Sequence, residues 1–185
     1  MAQSYIIESM NKKFWWLTGA ALVGMSSTLW QIIEKVSLLK NPKVALSCNF
    51  NSTFNCSDVL NAHQSSIFGP PNAAIGLAVF SFFLAIGIAG LTGSKFVRKF
   101  ALAIQGLALF MLGFTLWFLF ESTYRIHAVC IFCLFIGTSV LVINAVMLRH
   151  NFGERIKRWS IRGADLFGWA LVWLIVAFAM LLKFA

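Results

Sequence analysis

Five long apolar runs constrain this chain more than any other feature. They cover about residues 14–33, 72–91, 100–120, 126–148 and 167–182 of 185. Each approaches or exceeds the length a helix needs to cross a bilayer, about 20 residues. Lipid offers the backbone no hydrogen-bonding partner, so helices are the default, and the runs lack the polar alternation of a barrel strand. Composition agrees. The chain is 59% hydrophobic and 11% charged, against about 25% charged in soluble domains. Water-soluble and disordered classes are excluded together. The sequence predicts an all-α integral membrane protein of five transmembrane helices in a single domain, residues 1–185. Trp15, Trp16, Trp117 and Trp169 lie near run ends, as interfacial aromatics do. The first run is longer than a signal-peptide core and lacks a small-residue cleavage site, so it reads as a retained helix.

The net charge of +9 reads as a topology signal, since basic residues flank the apolar runs and no nucleic-acid motif is present. Lys12, Lys13, Lys95, Arg98, Lys99, Arg149, Arg155, Lys157, Arg158 and Arg162 fall on one side. Lys35, Lys40, Lys43, Arg125 and Lys183 fall on the other. The positive-inside rule puts the N-terminus in the cytoplasm, and the C-terminus and the loop 34–71 outside. The runs carry no Asp, Glu, Lys or Arg in their interiors, which argues against pumps, proton-coupled transporters and voltage sensors. Ser26, Ser27, Gln105, Thr115, Thr138, Ser139 and Asn144 read as interhelical hydrogen-bonding groups.

The four cysteines form two pairs. Cys48 and Cys56 lie in the outer loop with seven residues between them, and Cys130-Ile-Phe-Cys133 opens the fourth run. Charge counting puts both pairs on the same non-cytoplasmic face. Cys130 and Cys133 are expected at i and i+3 of a helix, hence on one face, near an N-terminus that favours thiolate. Thiolate attack is what thiol–disulfide exchange requires. The polar Asn-, Ser- and Thr-rich loop around Cys48 and Cys56 is expected to be within reach of a soluble protein. Bland readings stand beside this one: a static Cys48–Cys56 staple, and two packed core thiols at the C-x-x-C. A zinc site is not expected; His63 and His127 read as spectators. After Cys56, Ser57-Asp58 looks like a helix start. Val59, Leu60, His63 and Ile67 follow at helical spacing, and Gly69-Pro70-Pro71 ends the helix. A short amphipathic helix at the membrane surface, capping a pocket in the bundle, is predicted.

Taken together, Cys48-x7-Cys56, Asp58-Val-Leu-Asn61, Ser66-Ile-Phe-Gly-Pro-Pro-Asn72 and Cys130-Ile-Phe-Cys133 resemble the vitamin K epoxide reductase family over roughly residues 14–148. The resemblance implies a four-helix bundle around a quinone (menaquinone or ubiquinone), capped by the outer half-helix, with a fifth helix added as in bacterial members. It implies that a reduced thioredoxin-fold partner attacks the Cys48–Cys56 disulfide at Cys48. Cys56 then attacks Cys130, and Cys133 donates to the quinone. Phe68 would pack on the ring, with Ser65 and Leu60 as further cofactor-binding positions. Two positions depart from the animal enzyme. Ser65 stands where that enzyme has a hydrogen-bonding Asn, and Gly137 where it has a Tyr.

The expected activity is therefore a DsbB-like thiol oxidase of a bacterial inner membrane. It would reoxidise a separate, extracytoplasmic DsbA-like protein, since no fused thioredoxin-like domain follows the fifth run. The alternatives are a vitamin K epoxide or quinone reductase, and a non-catalytic membrane module with structural disulfides.

Overall fold

The computed structural model describes the backbone of residues 2–159 and 164–184. Among these residues its regular secondary structure is helical, apart from one isolated bridge between Phe54 and Val129. Helix α1 runs Ala2–Lys40, and a loop leads to the short α2, Cys56–Asn61, and a 3-10 turn, His63–Ser66. Then come α3 (Asn72–Leu91), α4 (Arg98–Glu121), a π-helical turn (Ser122–Ile126), α5 (Ile131–Trp159) and α6 (Ala164–Phe184).

Three helical segments are long and apolar enough to cross a membrane: Asn72–Leu91, Arg98–Ile126 and Ile131–Phe152. The second and third expected runs coincide with α3 and α4. The fourth begins later than expected, at Ile131, because the chain first makes the π-helical turn and reverses at His127, whose φ is 59°. The first run lies within α1, where Thr18, Ser26, Ser27, Thr28 and Gln31 dilute the hydropathy. Most of these polar residues face inward: Thr18, Ser27, Thr28 and Gln31 are buried, whereas Trp15, Trp16, Leu22, Val23, Leu29 and Ile33 are exposed. That inside-out distribution suits a helix whose outer face meets lipid and whose inner face hydrogen-bonds. The fifth run falls within α6, and part of it lies outside the residues whose side chains are described.

Helix α1 packs against α3 and α5, and α4 against α5. The α1–α3 approach is close because glycine allows it. A Cβ on Gly87 would lie 3.1 Å from the Thr18 nitrogen and 2.5 Å from its hydroxyl, and one on Gly24 would meet the Phe80 ring at 2.2 Å. Leu17, Phe80, Phe83, Ile104, Val140 and Ile143 anchor one apolar cluster. Between α4 and α5, the Asn144 amide donates to the Ala108 carbonyl at 2.8 Å. A second cluster, at the other end of the bundle, holds all four cysteines with Leu38, Leu46, Val59, Leu60 and Leu119.

Candidate active site

The cap over this end is built from the residues that follow Cys48. Asn55, not Ser57, is the N-cap of α2: its side-chain oxygen accepts from the Asp58 N–H at 3.3 Å and its amide donates to the Asp58 carboxylate at 2.8 Å. The helix stops at Ala62, earlier than the apolar spacing suggests, and the 3-10 turn carries the chain to Gly69, whose φ of +92° only glycine adopts readily. Val59 and Leu60 are buried beneath the cap, while His63 and Ile67 are exposed. The Leu60 carbonyl accepts from the Lys35 ammonium at 2.5 Å and from the Ser65 hydroxyl at 2.7 Å. Both bonds tie the cap down, one to α1 and one to itself. Partial burial lowers the Lys35 pKa below its ordinary value.

Cys48 and Cys56 are joined in a disulfide, with Cα atoms 5.7 Å apart. Both are buried, at 1% and 0% exposure. The loop between them is exposed from Asn49 to Ser52, as its polar composition suggests, but the disulfide it carries is covered. Its polar side chains hold the loop's shape by hydrogen bonds at the surface. Asn51 accepts from the Thr53 and Phe54 N–H groups at 3.0 and 2.7 Å. The Thr53 carbonyl accepts from the Val129 N–H at 2.7 Å, which latches the loop onto the strip just before Cys130. On the other side Glu34, buried at the end of α1, accepts from the backbone and hydroxyl of Ser47 and from the Trp30 indole.

Cys130 and Cys133 are free thiols, both buried. Cys130 precedes α5 rather than lying in it, and its carbonyl accepts from the Cys133 N–H at 3.0 Å, as an N-cap carbonyl does. The Cys130 sulfur lies 3.2 Å from the Cys56 sulfur. The two pairs, 74 residues apart between Cys56 and Cys130, are thus in van der Waals contact through one sulfur of each. Gln31 donates its amide to both inner sulfurs, at 3.1 Å to Cys133 and 3.4 Å to Cys130.

Cys133 opens onto a cavity of about 270 Å³ lined by α1, the cap, α3, α4 and α5. Its walls are mainly aliphatic and aromatic, among them Phe80, Phe110, Phe114 and Phe118. Leu60, Ser65 and Phe68 all line it, and the Phe68 ring stands 5.8 Å from that of Phe114. The Ser65 hydroxyl, however, is already bonded to Leu60. Asn72 also lines the cavity; its amide donates to the Gln64 carbonyl at 2.6 Å, and its side-chain oxygen is buried without a partner. Gly137 is not a wall of the cavity: a side chain there would meet Trp173 of α6 at 3.1 Å. His127 is exposed in the reversal before Cys130.

The model of the vitamin K epoxide reductase family matches residues 15–149, nearly three quarters of the chain. The chain belongs to this family. It is accordingly a membrane oxidoreductase, of a family that works with cysteine redox centres and a quinone. The match ends before α6. No curated protein matches the chain.

Three residues of the site were not singled out by sequence reasoning. Gln31 sits two positions from the end of the first run, and the signal was its cost: an amide in an apolar helix demands a partner. Lys35 is one turn further along the same face. Asn72 was visible only as part of a motif, with nothing to separate it from a helix start.

Proposed function

We propose that this family member is a quinone-linked thiol–disulfide oxidoreductase that reoxidises a separate extracytoplasmic thioredoxin-fold protein, with α1 and α6 crossing the membrane beside the three apolar helices. The observation that carries the reading is the 3.2 Å contact between the Cys56 and Cys130 sulfurs, with Cys133 on the wall of an apolar cavity.

The partner's dithiol attacks Cys48, reduces Cys48–Cys56 and itself becomes a disulfide. Because both outer sulfurs are buried, the loop 49–55 must first lift from Val129. The freed Cys56 thiolate attacks the Cys130 sulfur of an inner disulfide; the Cys56–Cys130 bond forms and Cys133 leaves with the electron pair. Cys48 then attacks Cys56, the outer disulfide closes again, and Cys130 leaves. The result is an outer disulfide and an inner dithiol, the redox pattern of this structure. The inner dithiol gives up two electrons and two protons and closes. A bound quinone would supply the two-electron acceptor. The chain's own residues fit such a ring: the aromatic walls and Phe68 would pack its faces, and the orphaned Asn72 oxygen would accept from a hydroxyl of the reduced ring, not from the quinone. Lys35 holds a proton at Nζ on the edge of the cavity and, partly buried, releases it more readily than a solvated lysine does.

Quinone reduction by purified protein supplied with a reduced thioredoxin-fold dithiol protein tests this. Wild type should turn over, and both Cys56→Ser and Cys133→Ser should be inactive. Turnover that survives Cys133→Ser would leave the cysteines as structural staples and end the proposal.

A further inference from the structure

Gln31 belongs to neither cysteine pair, yet it is placed against both inner sulfurs. Its side chain is 6% exposed, and its Nε2 lies 3.1 Å from Cys133 Sγ and 3.4 Å from Cys130 Sγ. A primary amide has two N–H groups, enough to serve both. A neutral thiol is a weak acceptor, and so a poor return for burying an amide in an apolar helix. A thiolate is a strong one, because hydrogen bonds to ionised groups are shorter and roughly twice as strong. The arrangement is therefore most favourable when one of the sulfurs carries charge.

We infer that Gln31 is the hydrogen-bond donor that stabilises negative charge on the inner sulfurs during exchange and electron release. The inference rests on the inner pair being the electron-carrying dithiol. When Cys56 attacks Cys130, the Cys56–Cys130 bond forms and the Cys130–Cys133 bond breaks. The electron pair goes to Cys133 Sγ, the sulfur nearer the amide. A better-stabilised leaving thiolate leaves faster. The same N–H then faces Cys133 when the dithiol is oxidised. No other described side chain is shown donating to these sulfurs from outside the two pairs. Lys35, the other ionisable group lining the cavity, bonds the Leu60 carbonyl, and Glu34 faces Ser47 on the far side of α1.

The test needs neither quinone nor partner, so its failure is separable from failure of the proposed activity. In a Cys130→Ser background with the outer disulfide intact, Cys133 is the only free thiol. Its alkylation by iodoacetamide is followed by intact mass as a function of pH, with Gln31 present and with Gln31→Met, which keeps the length and removes the donor. The pH of half-maximal rate should rise by about one unit in Gln31→Met, the size expected for one lost hydrogen bond to a charged group. Gln31→Glu, which replaces the donor with a carboxylate, should raise it at least as far. Changed access alters the plateau rate and leaves the midpoint in place. Should Gln31→Met fail to form the outer disulfide, Gln31→Asn retracts the amide by one methylene and carries the same expectation. Midpoints unchanged from the parent would overturn the inference.

Discussion

At the scale of single residues, the contact between Cys56 and Cys130 sets which mixed disulfide this chain can form. With Cys133 replaced by serine, Cys130 still lies 3.2 Å from the Cys56 sulfur; its attack on Cys56 releases Cys48, and with Cys133 gone only Cys48 is left to resolve the bond. Cys133→Ser should therefore accumulate a Cys56–Cys130 cross-link, read by non-reducing peptide mass mapping, and Cys130→Ser should not. A Cys48–Cys130 cross-link instead would contradict the geometry. The sequence alone supplied all four cysteines and their grouping, because C-x-x-C and a short Cys-x7-Cys loop are local patterns. The order of contact, Cys56 to Cys130, came only through the family resemblance and not from the local patterns. That order depends on where α5 starts, and the reversal at His127 moves Cys130 out of the helix to its cap.

At the scale of elements, the cap and its loop are held by few bonds, and each makes a measurable difference. Asn55→Ala removes the N-cap of α2 and should cost about 1 kcal/mol of stability, a typical loss for such a cap, seen as a lowered thermal midpoint in detergent. Asn51 closes the turn between Cys48 and Cys56. Asn51→Ala should loosen the latch on Val129 and speed reduction of the outer disulfide by a small phosphine several-fold, an outcome set by local opening rather than global stability. An unchanged rate would show that the loop opens elsewhere. Deeper in the bundle, Gly87→Ala drives a methyl against the Thr18 backbone. It should destabilise by about 1–3 kcal/mol, as overpacking does, whereas Gly106→Ala, with open space around it, should be neutral or better. The extent of α3 and α4 was legible from their apolar runs. The break in the cap at Ala62 was not, because Val59, Leu60, His63 and Ile67 keep helical spacing across a helix that ends.

At the scale of the whole molecule, the charge pattern predicts which end of the bundle faces outward. A cysteine placed at exposed Phe50, in the loop between Cys48 and Cys56, should be labelled by an impermeant maleimide in intact cells. One placed at exposed Lys95, between α3 and α4, should be labelled only after the cells are opened. The reverse pattern would place the cysteines on the cytoplasmic side and remove the oxidising compartment that the proposed reaction needs.

The apolar runs and the scarcity of charge decided by themselves that this chain is a helical membrane protein. In lipid only helices and closed barrels satisfy the backbone, the runs lack the alternation of a barrel strand, and each run declares itself without its neighbours. The cysteine motifs likewise named the chemistry, because spacing along the chain is enough to recognise them. What packing alone decided is how those motifs meet. Residues 31, 56, 130 and 133 converge only because α1 and α3 close over glycines, the cap folds back under Lys35, and the chain reverses at His127. Each is a contact between segments distant in sequence, and no local pattern records it. The burial of Cys48 and Cys56 belongs to the same class: the loop between them is exposed, yet packing against the strip before Cys130 covers both sulfurs.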